Sequence, residues 1–394
     1  MIRKTGQYDR AAVGGETVAV FTPYPLPPAD PKLSVDEQAQ RLLIHAEQKL
    51  AGLDLASQMV PSLDWFLYAY VRKEAVTSSQ IEGTQATLID LLSFEANDHL
   101  EKSENPDIEE VCNYLEAVNY ARRQLADKKG LPISMRLLNE AHKRLMKGAR
   151  GGNKSPGEIR QSQNWIGGSR PGNAVFVPPP PTKLPRLLTD LEKYIHSDDK
   201  LPPLIRIGLI HVQFETIHPY LDGNGRIGRL LIALLLEYWG FLKAPLLYLS
   251  LYFKRHRQEY YRLLGDVRTQ GHWEAWTKFF LTGVMEIAEE ATSLAKDLFS
   301  LVTKDRARVL RETSSTVFTL RLFELLPTHP ILTTAQAVKL LDTSKPTALK
   351  AIGTLEKLKI LSESTGRKRG RFFGYTAYLN KLRAGTELGE EPEN

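Results

Sequence analysis

From about Ser34 to residue 150 apolar positions recur three and four apart, the period of helices that bury one face. The period is carried by segments near 35–51, 61–73, 85–96, 107–128 and 134–147, and Ser134 ahead of Met135–Leu138 adds a helix-start signal. Residues 151–181 break the pattern. Gly, Asn, Ser and Pro dominate, and short β-prone runs at Asn164–Ile166 and Ala174–Val177 flank a turn over Gly167–Asn173. That predicts a β-hairpin, ended by Pro178–Pro181 because proline has no N–H for a ladder. Helices resume over Leu184–His196 and Pro203–Ile217; the second is apolar almost all round and is expected at a domain centre. A loop, His218–Gly225, leads into a helix through about Trp239, and helices continue to about residue 312.

The two ends read differently. Residues 1–31 are rich in proline and turn formers and are expected to form an extended arm. Helices are predicted at Val317–Leu326, Thr334–Leu341 and about Lys345–Lys359, with a turn at Asp342–Ser344. The β-prone stretch Ile360–Tyr378 around a basic glycine turn, Thr365–Arg371, completes a pattern that resembles a winged helix-turn-helix. The chain therefore divides into an arm (1–33), an N-terminal helical region (34–130), a core (131–300), a winged-helix domain (301–383) and an acidic tail (384–394) expected to be disordered. No tandem repeat appears at solenoid periods.

Composition narrows the class. Of 394 residues, 42% are hydrophobic and 25% charged, as in an ordinary globular protein. One cysteine, Cys112, excludes a disulfide framework and makes the cytoplasm the expected setting. Residues 1–30 lack a signal-peptide pattern, and the apolar run Leu230–Trp239 is too short to cross a bilayer, so no membrane partner is expected. Residues 301–394 hold 16 Lys and Arg against 10 Asp and Glu, so the whole net charge of +6 resides there. That excess is either a solvated surface or a module that meets nucleic acid.

The loop reads Ile217-His218-Pro219-Tyr220-Leu221-Asp222-Gly223-Asn224-Gly225-Arg226-Ile227-Gly228-Arg229. A helix starting at Asn224 or Gly225 opens with N–H groups that have no acceptor within it. Glycines beside them let the main chain approach a ligand, making a nest of donors at a positive helix end that suits phosphate. Arg226 and Arg229, three apart, share a helix face and can hold further phosphate oxygens. Asp222 at the mouth suits Mg²⁺, which keeps waters and phosphate oxygens as its other ligands. His218 is placed to take a proton from an attacking hydroxyl, a contribution of about 10²–10⁴ in rate.

This segment resembles the Fic family signature, His-x-Phe-x-Asp/Glu-Gly-Asn-Gly/Lys-Arg-x-x-Arg, at every fixed position but one. Tyr220 stands for Phe, a packing position where a tyrosine needs a partner for its hydroxyl. The resemblance implies a mainly α fold: a Fic-type helical core with a β-hairpin flap, followed by a small winged helix-turn-helix domain. It implies a protein adenylyltransferase that uses ATP and Mg²⁺. His218 would act as general base on a Ser, Thr or Tyr hydroxyl of a target protein, AMP would be transferred, and pyrophosphate would leave. ATP contacts carry over to Asp222, Gly223, Asn224, Gly225, Arg226, Ile227, Gly228 and Arg229, with the metal on Asp222. Gly225 favours adenylylation, since phosphorylating members tend to carry Lys there. Asn164–Val177 resembles the flap that docks a target strand by β-augmentation, near Trp165–Gly168. Tyr260-Tyr261 resembles the aromatic pair beside adenine, Tyr261 being the contact; ordinary helix packing is the competing reading. A homodimer is also implied.

Ser78-Ser79-Gln80-Ile81-Glu82-Gly83 resembles the inhibitory motif Ser/Thr-x-x-x-Glu-Gly/Asn of autoinhibited Fic proteins, on a helix expected over about 76–94. Its N-terminal place corresponds to the class II arrangement. By that likeness Glu82 pairs with Arg229 and blocks productive ATP binding, Ser78 fixes the helix end, and Glu82 has a second possible role in removing AMP. The plain alternative for Glu82 is a solvated helix carboxylate.

Other signals are weaker. Gly223-x-Gly225-x-x-Gly228 spells a dinucleotide fingerprint, but it follows a helix and no acidic residue lies between Glu237 and Glu259. Gly148–Ser155 has Asn153 where a phosphate loop needs glycine. His211 and His218 lack zinc-enzyme spacing, and His211 reads as a core histidine. Lys345, Lys350, Lys357 and Lys359, with Arg367, Lys368, Arg369 and Arg371, form a layout for phosphate contacts or for a protein-binding wing. The rival to an enzyme is a DNA-binding transcriptional regulator whose Fic-like core senses nucleotide.

Overall fold

The computed structural model describes residues 3–59, 63–97, 105–148, 154–366 and 370–388. In chain order the elements are β1 (Gly6–Val13), β2 (Glu16–Pro23), α1 (Glu37–Met59), α2 (Leu63–Ile81), α3 (Leu88–Glu95), α4 (Pro106–Ala126), α5 (Met135–Leu145), α6 (Leu184–Ile195), α7 (Pro203–Ile217), α8 (Asn224–Tyr238), α9 (Ser250–Arg255), α10 (Arg257–Gln270) and α11 (Trp273–Arg311). They continue with α12 (Val317–Leu325), β3 (Ile331–Thr333), α13 (Thr334–Leu341), α14 (Lys345–Lys357), β4 (Leu361–Glu363), β5 (Phe372–Tyr375) and α15 (Thr376–Leu382). The chain is mainly helical and forms two compact units: Met1–Ala51 with Asn113–Ala288, and Gly52–Cys112 with Glu289–Asn394. Among the described residues no helix is long and apolar enough to cross a membrane.

The first unit is built around α7, in which every residue except Pro203 and Glu215 is buried. Its all-round apolar sequence needs neighbours on every side, and it packs against α6, α8, α10 and β2. Trp276 of α11 is wholly buried and donates its indole N–H to Gly208 O at 2.9 Å, fixing α11 against the middle of α7.

A β-hairpin is present, but at 6–23 within the segment expected to be an extended arm. Gly14 and Gly15, both at positive φ, form the two-residue turn. Val13, Val18 and Val20 pack with Val177 in a small apolar cluster. The signal was the Gly-Gly pair beside alternating valines, overshadowed by the prolines from Pro23 onward. The expected hairpin at 164–177 is a single bridge, Ile166 to Phe176, instead of a ladder. Val175 N–H and Phe176 N–H both donate to Ile166 O, and a 3₁₀ turn at Pro171–Asn173 replaces a tight turn. The far side of this segment is met by β2, where Phe21 N–H donates to Val177 O at 3.0 Å.

In the second unit, residues 76–94 comprise the end of α2, a turn at Glu82–Gly83, and most of α3. Thr87 caps α3, with Asp90 returning a bond to its N–H, so the second helix has its own start. Helices α12–α14 alternate with a three-stranded antiparallel sheet in the order β3-β5-β4. Phe323, Leu341, Leu355 and Phe373 are wholly buried, and Tyr375 OH donates to buried Asp305 on α11 at 2.8 Å. Past Arg383, where disorder was expected, Thr386 is buried and its carbonyl accepts from Gln80 Nε2 at 2.9 Å. Arg367, Lys368, Arg369 and the tail from 389 onward lie outside the described residues.

Trp276→Ala removes both the ring contacts and the bond to α7. A loss of about 3–5 kcal/mol is expected, read as a lower urea midpoint with an unchanged slope.

Candidate active site

α7 stops where the loop begins. His218 takes the left-handed conformation (φ 51°, ψ 63°), and Pro219 lacks the N–H that another turn needs. That conformation costs a non-glycine residue roughly 1–2 kcal/mol. Two bonds hold it: His218 N–H donates to Phe214 O at 2.9 Å, and His218 O accepts from Arg160 Nε at 2.9 Å. The half-buried imidazole places Nδ1 3.4 Å from Glu215 O. A carbonyl only accepts, so Nδ1 is the donor in this contact.

The carbonyls that follow are answered by groups around the loop. Arg160 N–H donates to Pro219 O at 2.9 Å. Asn224 Nδ2 and Asn164 Nδ2 donate to Tyr220 O at 2.8 and 3.2 Å. His142 Nε2 lies 3.0 Å from Asp222 O, and its Nδ1 accepts from Gly157 N–H at 2.9 Å, so Nε2 is the donor. The His142 ring stacks on Tyr220 with centroids 3.8 Å apart. Tyr220 is fully buried, and its hydroxyl has the partner that a tyrosine needs there, Asn139 Oδ1 at 2.8 Å. Burial pushes the Tyr220 hydroxyl pKa far up and pulls His142 down to about 4.

α8 opens at Asn224 behind Gly223, whose φ of 75° suits glycine. Its first-turn N–H groups, from Asn224 to Arg226, have no acceptor within the helix and stand at its positive end. Gly225 is half-buried at this mouth, whereas Ile227 is wholly buried and serves packing. A side chain at Gly228 would collide with Glu215 Oε1. The Asn224 side chain is turned inward, bonded to both the N–H and the carbonyl of Tyr220, so its offering at the helix start is its main chain. Arg226 and Arg229 are buried. The half-exposed Asp222 carboxylate accepts from Gly223 N–H at 2.6 Å, with Lys154 Nζ at 3.3 Å and Arg226 Nη2 at 3.7 Å.

His211 is wholly buried, with Nδ1 3.1 Å from Gly228 O and Nε2 2.9 Å from Tyr260 OH; burial pulls it down to about 3. It is the core histidine expected, tying α7 to α8 and α10. Tyr260 is 1% exposed and Tyr261 42%, so of the pair only Tyr261 offers its ring to the surface. In the second unit Ser78 is buried in α2, and Glu82 is exposed one residue past its end. Gly83 follows at φ 97°. Gln80 Nε2 braces this turn by donating to Ala86 O at 2.9 Å as well as to Thr386 O.

Residues 132–236 match the Fic/DOC family, and residues 40–123 match the Fic/DOC family N-terminal region. The chain carries a Fic domain. Over 162 residues, 39% of the chain, it is 32% identical to the protein adenylyltransferase Fic of Drosophila grimshawi. Over 208 residues, 52% of the chain, it is 26% identical to a probable protein adenylyltransferase of Aquifex aeolicus. The matches span 29% and 57% of those relatives' own lengths. A Fic family protein from Desulfovibrio desulfuricans G20 shares the fold with a TM-score of 0.55 at 20% identity, over 87% of this chain and 97% of that one. A Fic domain containing signaling protein from Bacteroides thetaiotaomicron does so at 0.51 and 17%, over 66% and 97%.

Sequence reasoning missed Asn139, His142, Arg160 and Asn164, the side chains that hold the Fic domain's loop in place. One had a signal: His142 sits at helical spacing among the buried Leu138, Ala141 and Leu145 of α5, where a polar residue needs a partner. Asn139, also on α5, is only half-buried and reads as a surface position, and Arg160 and Asn164 lie outside helices and strands, where spacing carries no information.

His142 and His211 are neutral in the fold and take up protons on unfolding below the ordinary value of 6.5. Stability is therefore intact above that pH and falls as pH drops, by up to about 2 kcal/mol per histidine at pH 5. His142→Gln, neutral throughout, is expected to lose less stability between pH 7.5 and pH 5 than the parent in urea melts.

Proposed function

We propose that this chain is a protein adenylyltransferase that moves AMP from ATP to a Ser, Thr or Tyr hydroxyl of a target protein and of itself. The observation that carries this reading is the continuity of one short segment. An imidazole whose Nδ1 faces the Glu215 carbonyl ends one buried helix, and a nest of N–H groups with two arginines opens the next. The N–H groups and arginines bind and orient the triphosphate, and Tyr261 supports the adenine. His218 Nε2 takes the hydroxyl proton as the oxygen attacks the α-phosphorus, and the bond to the β-phosphate oxygen breaks to release pyrophosphate. The donor set fits Mg²⁺ held by Asp222 with phosphate and water ligands, since Mg²⁺ needs only one or two carboxylates. Among the described residues no group of three or more His, Cys, Asp or Glu forms a protein-only metal cage. When bound, the ion neutralises charge on the phosphates. The target docks at the flap, where Trp165 and Val175 are exposed.

Glu82 acts in this reading as an intramolecular brake on Arg229, supported by the Ser78-to-Gly83 motif and by the braced turn that presents Glu82. Whether it also assists AMP removal is a question for the same assay. For residues 317–383 the winged-helix reading is supported by the helix order and the antiparallel sheet. DNA contact is supported by the exposed Lys345 and Lys350 on α14. A homodimer and a cytoplasmic setting rest on the resemblance and on the single cysteine.

Intact-mass analysis of Glu82→Gly after incubation with ATP and Mg²⁺ is expected to show a gain of one AMP. Its rate should exceed the parent's about tenfold or more, the worth of one charge-assisted pair. His218→Ala in that background should retain ATP binding and lose the adduct. No adduct in Glu82→Gly on itself or on any added protein would shift the balance to the regulator. For that alternative, anisotropy with labelled duplex DNA should show binding that weakens steeply with salt.

A further inference from the structure

Arg160 is 2% exposed, and its recorded partners among the described residues are main-chain carbonyls. Burial pulls its guanidinium to about 10, so it stays cationic at neutral pH. A buried cation without a paired carboxylate is costly, and an apolar side chain of similar size commonly serves stability as well or better. The residue must therefore supply something besides stability, and its geometry shows what. Nε donates to His218 O at 2.9 Å, Nη1 to Ser162 O at 3.3 Å and Nη2 to Pro179 O at 2.6 Å. Ser162 and Pro179 stand at the two ends of the 163–178 flap segment. One rigid fork thus closes the base of the flap and holds the carbonyl of His218, whose left-handed ψ decides where that carbonyl points. Its own N–H adds a bond to Pro219 O.

We propose that Arg160 is a positioning residue that fixes the general base to the base of the target-docking flap, so that a hydroxyl presented by the flap meets His218 in register. It touches neither nucleotide nor target and acts through the main chain of His218. This rests on the adenylyltransferase reading above. A lysine keeps the charge and has three donors, but they sit on one nitrogen and cannot span carbonyls spread around a planar fork. A methionine keeps the volume and removes the charge.

The test places Arg160→Lys and Arg160→Met in the Glu82→Gly background. Expected are a kcat for AMP transfer lowered about 100-fold, as for a misplacement near 1 Å, with the KM for ATP within about threefold and the thermal midpoint retained in at least one variant. A kcat within about threefold of the parent in both variants overturns the proposal. So does a parallel loss of ATP binding and thermal stability in both, which marks a purely structural residue. Hydrogen exchange on the nucleotide-free protein gives a readout independent of activity. Amides of 163–178 and of 220–224 should accelerate together in Arg160→Lys; acceleration of one segment alone, or of neither, overturns the clamp. If the Glu82→Gly parent forms no AMP adduct, the adenylyltransferase reading fails, and the exchange data still decide whether Arg160 couples the two segments.

Discussion

Two buried helices, α7 and α8, meet at a six-residue turn, 218–223, in which the carbonyls of His218, Pro219, Tyr220 and Asp222 accept from donors outside either helix ladder. Buried carbonyls without donors are expensive. Donors come instead from α5, from the segment after it and from the first residue of α8. Much of the surrounding architecture follows from that need. His142 must be neutral with its proton on Nε2, Tyr220 must be buried beneath it, and Arg160 must be carried into the interior despite its charge.

The same donors make the turn rigid, and rigidity gives it chemical value. Helix-end N–H groups attract anions wherever they occur, but they stabilise a reacting phosphate only if their direction is set beforehand. Here side-chain and main-chain donors tie down the loop carbonyls just ahead of the N–H groups that open α8. Arg226 and Arg229 are buried, and Arg226 Nη2 lies 3.7 Å from the half-exposed Asp222 carboxylate. The imidazole, the carboxylate and the two arginines of the proposed site therefore occur within twelve consecutive residues, on elements fixed by the domain core.

The hairpin shows where local reading loses its grip. The alternation of Val18 and Val20 and the Gly14-Gly15 turn were in plain view, yet the prolines after Pro23 made the whole segment look like an arm. At 164–177 the two β-prone runs do meet, through the bridge between Ile166 and Phe176. Their pairing, however, was shared out between a single internal bridge and the edge of β2, a partner about 150 residues away that no local pattern announces. Likewise, the packed Thr386 follows from a bond to Gln80 and not from the acidic composition of the tail.

The sequence by itself determined the helices, the central place of α7, and the identity of the loop with its imidazole, carboxylate and arginines, because these depend on periodicity and on residues adjacent in the chain. Tertiary structure alone decided that the Asn224 side chain turns inward, that Tyr261 and not Tyr260 reaches the surface, and that Arg160 joins Ser162, His218 and Pro179. The physical reason is range. Helical periodicity and helix-end chemistry are encoded within a few residues, whereas a hydrogen bond from a buried side chain to a distant carbonyl exists only after the chain has folded around both.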